Sequence, residues 1–427
     1  MNRRCISLRL AAVALVFLPG AAGAADFSES TVPPAGQLPG ASDTRVAVGG
    51  YLQADALLND ASSRDQVIPT GAEPLNTERF LIRRARLSVE VSRYALFSIV
   101  DWEAGTVKGF SLGLARAELG WRKSLGDAAL QMDLGLVRIP FGAETMETDP
   151  SRLFLERSHV GRALFPGTYD LGARARVSWR FLSAWIAAMN GNPPGDATFP
   201  GRDPNAAKDM VGRIGIDTAI GGRIRCEAGF SSLSGKGFHV GALATKDVLF
   251  WRDQNEDGLV QQSEIQVIPG RAATPSANFS RFAVGADARI TIEIPRMGPF
   301  VALGEVVWAA NLDRGISPAD PVSSGRDLRE FGWLLGATQS LTKRGAVGVR
   351  YDFYNPDVDA YRQAPTVIVP KDSAFRTWTF TAAWRATGMD RLVLEFQRNR
   401  NALGLSANGT PTSLSANTLT LRGQMVF

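Results

Sequence analysis

Two residue patterns in this chain have types and spacings that could do chemistry. The first is arginine on alternate positions. Arg84 and Arg86, then Arg174, Arg176 and Arg180, then Arg223 and Arg225, then Arg289 and Arg350 each stand opposite apolar residues in a period of two. Only seven of the 47 basic residues are lysine, so arginine dominates, and its planar fork of donors suits carboxylate or phosphate. Several guanidiniums facing one water-filled space would concentrate anions there. The competing outcome is neutralisation across the wall by Glu90, Glu118, Glu227, Asp287 or Asp352. The second pattern is Asp253, Asn255, Asp257, Gly258, Gln261 and Glu264, at positions one, three, five, six, nine and twelve of a calcium loop. With the Leu259 carbonyl these supply the six or seven oxygens that Ca2+ prefers. The histidines, His159 and His239, have no partner at zinc or triad spacing, and no Gly-Xaa-Ser-Xaa-Gly string occurs. An enzyme is therefore not expected, and neither is an organic cofactor.

An arginine row needs an element that turns one face to water. From Arg281 the residues Asp287, Arg289, Thr291 and Glu293 alternate with Phe282, Val284, Ala286, Ala288, Ile290, Ile292 and Ile294. From Gly172 the three arginines alternate with Ala173, Ala175, Val177, Trp179 and Phe181. A wall with lipid on one side and water on the other reads this way. The pattern predicts an all-β, antiparallel transmembrane barrel of about 16 strands, near 45–57, 80–92, 94–104, 111–122, 128–139, 171–181, 184–190, 209–219, 222–232, 280–294, 300–309, 329–341, 345–354, 375–386, 389–400 and 417–427. Short turns are expected at the periplasmic end and long loops, including 58–79, 140–170, 233–279 and 401–416, at the extracellular end. An apparent strand at 237–247 would break this parity and is assigned to an extended hairpin in an outer loop. Arg83 falls on the outer face, and Arg138 breaks the apolar phase of Leu130, Met132, Leu134 and Leu136, through a bulge or because it lies beyond the lipid.

The first 24 residues read as a cleavable signal peptide: Arg3, Arg4 and Arg9, an apolar run from Leu10 to Leu18, and small residues up to Ala24. Residues 25–44, rich in Pro, Gly and Ser, read as a flexible periplasmic lead, and the barrel as 45–427. Loss of three arginines with the signal leaves 44 basic against 42 acidic residues, too near balance to argue for nucleic acid. It also removes Cys5 and leaves Cys226 alone, so no internal disulfide can form. No stretch is long enough for a transmembrane helix. At the other end Leu419, Leu421, Gly423, Met425 and Phe427 share a face against Thr418, Thr420, Arg422 and Gln424. This amphipathic strand ending on Phe427 resembles the final strand by which outer-membrane barrels are recognised for insertion, which makes the barrel-assembly machinery an expected partner.

The segment between Pro140 and Asp170 is too long for a hairpin turn and carries Arg152, Glu156, Arg157 and Arg162. Folded into the barrel, it would set the narrowest passage. The strings Arg83-Arg84-Ala85-Arg86-Leu87, Gly135-Leu136-Val137-Arg138-Ile139-Pro140-Phe141-Gly142, Phe154-Leu155-Glu156-Arg157-Ser158 and Asp170-Leu171-Gly172, with Asn190-Gly191-Asn192, Arg350-Tyr351-Asp352 and terminal Phe427, resemble the phosphate-selective porin O and P family. The resemblance spans nearly the whole mature chain. It implies a trimeric sixteen-stranded outer-membrane barrel with an arginine-lined eyelet, Arg84 and Arg86 in the lumen and Arg157 in an inward loop. The expected function is passive diffusion of small anions, phosphate or related, across the outer membrane of a Gram-negative bacterium. The alternatives are a general or differently selective pore, or a barrel whose loops serve adhesion or structure.

Overall fold

The computed structural model describes residues 44–59, 77–107, 109–363, 368–388, 390–405, 411–414 and 417–427. The signal segment and all but the last residue of the lead lie outside the described residues. Sixteen long strands follow one another: β1 (Thr44–Asn59), β2 (Glu78–Arg93), β3 (Leu96–Gly105), β4 (Ser111–Leu125), β5 (Ala128–Arg138), β6 (Tyr169–Trp179), β7 (Leu182–Met189), β8 (Asp209–Ile220), β9 (Ile224–His239), β10 (Ala277–Ile294), β11 (Gly298–Ala310), β12 (Arg329–Ser340), β13 (Gly345–Asn355), β14 (Phe375–Thr387), β15 (Asp390–Leu405) and β16 (Thr418–Val426). Each pairs antiparallel with the next. The last pairs with the first, Tyr51 opposite Val426 and Asp55 opposite Arg422, so the sheet closes and has no edge. Each sequence-expected strand overlaps one of these sixteen.

Alternation explains the closure. On β6 Leu171, Val177 and Trp179 are exposed outwards, while Asp170 and Arg174 are buried inside. The same outward belt continues through Leu134, Ile186, Ile214, Phe230, Leu335 and Leu394. Apolar surface costs about 25 cal/mol per Å2 when left in water, so a belt of this extent belongs against lipid. No helix among the described residues is long and apolar enough to cross a membrane; the strands do the crossing. Seven tight turns close one end, and Tyr94, Arg180 and Arg296 sit in them at φ 56, 52 and 71, the left-handed geometry that matches strand twist.

Three local expectations are resolved. The strand read near 237–247 divides: β9 itself runs to His239, paired with Ala277, and the extra hairpin lies further on, Val248–Trp251 against Ile265–Ile268. Arg138 involves no bulge, because β5 keeps register with both β4 and β6; it ends the strand where the chain turns inwards. Arg83 is corrected. Gln53 faces Arg84 and Ala54 faces Ile82, so Arg83 is the extra residue of a β-bulge, and the bulge turns it to the inside beside Arg84.

Candidate functional site

The chain between β5 and β6 folds into the barrel. It contains two short helices, α1 (Ala143–Met146) and α2 (His159–Leu164), the second capped by Ser158, whose hydroxyl accepts from the Gly161 amide. Its apolar residues Ile139, Phe141, Val160, Leu164 and Phe165 pack in one cluster with Met189, Val211, Leu233 and Val307 on the inner faces of β7, β8, β9 and β11. The wall is therefore not uniformly polar inside. Its apolar sector exists to seat this loop, and burial of several such side chains at roughly 2 kcal/mol each holds the loop in place.

The loop's polar edge reaches the opposite sector. Glu156 lies 3.0 Å from Arg83 and 3.0 Å from Arg84 on β2, and 2.7 Å from Arg422 on β16. Arg422 also bonds Asp55 at 2.6 Å and donates to the Leu155 carbonyl at 2.8 Å. The Leu155 amide donates to Glu395 at 2.9 Å, and Arg391 donates to the Arg152 carbonyl. Nearer the loop's start, Glu144 accepts from the Ser158 amide at 2.7 Å and stands 3.2 Å from Arg350 on β13, while its own amide donates to Glu305 on β11 at 3.0 Å. His159 lies 2.8 Å from Asp352. A strap tied to strands β1, β2, β11, β13, β15 and β16, yet leaving from β5, must cross the lumen. A water-sized cavity of about 20 Å3 remains beneath it, lined by Glu144, Glu147, Arg152, Arg289, Glu305 and Arg350.

Seven of the ten expected arginines fall into three groups. Arg84, Arg86, Arg289 and Arg350 meet the strap: Arg86 bonds Glu103 and lies 3.8 Å from Asp149, Arg289 lies 3.1 Å from Glu147, and Arg350 donates to the Glu156 carbonyl at 3.0 Å. Arg174 and Arg176 point inwards around Trp185, their guanidinium carbons 4.8 and 4.7 Å from its ring, with Arg174 2.9 Å from Asp133. Arg157 belongs to the strap but faces its interior, donating to the carbonyls of Gly161, Phe165 and Pro166 at 2.9, 2.6 and 3.0 Å. Two placements are corrected. β6 ends at Trp179, so Arg180 occupies the tight turn beside Asp127, and Arg223 follows Gly221 and Gly222 in the next turn; neither lines the lumen. Arg225 sits just above that turn, paired with Asp217 at 2.6 Å. Sequence reasoning did not single out Arg213, bidentate to Asp287 at 2.5 and 2.9 Å, or the Arg281–Asp209 pair at 3.1 Å. The alternation of Val211, Arg213 and Gly215 with Met210, Ile214 and Ile216 carries the same signal as the other strands.

Solved outer-membrane barrels share this fold. The chain superposes on the outer membrane channel DcaP of Acinetobacter baumannii (TM-score 0.53, 10% identity, 90% of this chain and 97% of that one). It matches an anion-selective porin from Comamonas acidovorans (0.51, 10%, 90% and 100%) and OmpT, an outer membrane protein of Vibrio cholerae solved as a trimer (0.51, 10%, 90% and 100%). The fold is that of outer-membrane porins. No family model matches the sequence, and no curated protein matches it either.

The second sequence pattern lies in the connection between β9 and β10, at the tip of the Val248–Trp251/Ile265–Ile268 hairpin. Gly258 takes φ 74, as position six of a calcium loop requires. Asp253 accepts from the amides of Asp257 and Gly258 at 3.2 and 2.7 Å, Asp257 accepts from the Leu259 amide at 2.7 Å, and Gln261 donates to Asp257. Glu264 accepts from the Trp251 indole at 2.9 Å, and that bond holds its carboxyl below the usual range. Among the described residues no three His, Cys, Asp or Glu side chains converge as a metal cage.

Proposed function

We propose that the chain is an outer-membrane porin through which small anions diffuse passively past the narrowing made by the 140–170 strap. The observation that carries this reading is the strap's attachment, Glu156 on Arg83, Arg84 and Arg422 at one side and Glu144 on Arg350 at another, which gathers guanidiniums around a single passage. Most of those guanidiniums have a carboxylate beside them, so the preference rests on a small imbalance. Arg162 of α2, partly buried, makes no ion pair among the described residues and stands within electrostatic range of Asp352 and Glu156 as well as of Arg350 and Arg83. Anions follow the same passage without energy input, down their gradient.

Replacing Arg84 and Arg86 together by Ala leaves Glu156, Asp149 and Glu103 under-neutralised. In a planar bilayer with a KCl gradient, the anion-to-cation permeability ratio should fall roughly sevenfold, because a local potential change of about one kT lowers anion occupancy and raises cation occupancy by about a factor of e each. An unmoved reversal potential would sink the placement. Phosphate as the narrower substrate is supported by the family resemblance; no lysine lies between Pro140 and Asp170, so its capture would rest on arginine alone. Phosphate that fails to block chloride current would leave a general anion pore. The same reading includes a homotrimer and recognition of β16 by the barrel-assembly machinery.

The hairpin tip carries a proposal of its own: Asp253, Asn255, Asp257, the Leu259 carbonyl, Gln261 and Glu264 hold a Ca2+ ion that stiffens the 240–276 loop. Calcium should protect the chain from cleavage near Asp257, and Glu264→Ala should remove the protection. Identical digestion with calcium and with chelator counts against it.

A further inference from the structure

Inside the barrel nearly every arginine has an acid for a neighbour; on one patch outside, two of three arginines do not. On β14 and β15 the outward side chains run Trp378, Phe380, Trp384 and Leu392, Leu394, Phe396, an apolar and aromatic band. Immediately beyond it, at the long-loop end, come Arg376, Arg398 and Arg400, all outward. Arg376 and Arg400 are directly opposed in register, and Arg398 is opposed to Trp378. Like charges facing across a strand pair repel and weaken the sheet.

The neighbouring chain neutralises Arg376 alone. The loop after β13 offers three acids, and each is already engaged: Asp357 with Arg326, Asp359 with Arg329, and Asp372 with Arg376 at 2.9 Å. Residues 401–417, which follow Arg400, contain no acid at all. Arg398 and Arg400 make no ion pair among the described residues. Arg376 is further fixed by its position 5.4 Å from the Phe353 ring, which keeps its fork at the level of the band's edge. Aromatic belts mark the depth at which hydrocarbon gives way to headgroups.

We propose that Arg376, Arg398 and Arg400 bind the phosphate groups of the saccharolipid, lipopolysaccharide, that faces the long-loop end of the barrel. Guanidiniums bind phosphate through paired, charge-assisted hydrogen bonds, and the bound lipid supplies to Arg398 and Arg400 the counter-charge that Asp372 supplies to Arg376. The inference rests on the membrane placement given above, but not on any solute preference of the lumen.

The test uses the folded full-length barrel in neutral-lipid nanodiscs, titrated with bisphosphorylated lipid A and with its dephosphorylated form, and bound lipid counted by native mass spectrometry. The phosphorylated form should bind at least tenfold more tightly. In the Arg376→Gln/Arg398→Gln/Arg400→Gln variant that difference should vanish, and the three Lys replacements should restore most of it. Channel conductance of the Gln variant should equal the parent's, since none of the three side chains faces the lumen; that measurement reports a folded barrel and tests the pore separately. Should the variant fail to fold, Arg398→Gln alone should lower the preference severalfold. Equal binding of both lipids by the parent, or a preference that survives the Gln replacements, overturns the proposal.

Discussion

Glu156→Gln should raise single-channel conductance, add open-channel noise and move the reversal potential towards anions. Glu156 is the only acid of the strap among the described residues that bridges three wall guanidiniums, Arg83, Arg84 and Arg422, at 3.0, 3.0 and 2.7 Å. Breaking such a buried cluster from one side costs about 3 kcal/mol, because charges already stripped of water lose their counter-charge. At 1.4 kcal/mol per decade that is roughly a hundredfold more of the detached strap. The detachment stays local, because Glu144 still holds Arg350 and Glu395 still accepts from the Leu155 amide. The sign of the selectivity change is the stronger part. Removing an acid from this cluster and removing Arg84 with Arg86 must shift the reversal potential in opposite directions if both belong to the conducting path. A bilayer recording in which Glu156→Gln leaves conductance and reversal potential as they were would remove the strap from that path.

The wall was legible in the sequence and the strap's chemistry was not, for one physical reason. Period-two alternation is imposed by the bilayer on every strand, so Arg174 and Arg176 declare their face from Ala173, Ala175 and Val177 without reference to the rest of the chain. The length of the 140–170 segment likewise announced an infolded loop. What a side chain meets across the lumen depends on which strands stand opposite, and Arg422 with Asp55 and Glu156 joins residues hundreds of positions apart. Arg83 failed for a different reason: one bulged residue reverses its facing, and no local signal marks the bulge between Gln53 and Ala54. Arg180 and Arg223 continue the alternation of their strands but lie one step past the ends, in left-handed turns whose position the pattern does not fix. Arg157 was placed in the right segment, yet its guanidinium satisfies three backbone carbonyls and so serves the strap's own fold.

Ile214→Arg should prevent or sharply weaken folding into lipid vesicles, whereas Ser178→Arg should leave it nearly intact. Ile214 sits midway along β8, 62% exposed on the outer face, between Ala184 of β7 and Phe230 of β9. A guanidinium at mid-depth against hydrocarbon costs roughly 2–4 kcal/mol. Ser178 is on β6 with the parity of Arg174 and Arg176, opposite Ser183, and a guanidinium there enters water beside the lumen wall at a cost of under about 1 kcal/mol. The two strands are close neighbours in one sheet, so the comparison isolates which side of the wall each residue faces. Urea-dependent refolding followed by heat-modifiable gel mobility gives both free energies on one scale. Equal penalties at the two positions would mean that the outer face of β8 does not meet lipid, and the membrane barrel, the strap-lined pore and the headgroup site would then lose their common basis.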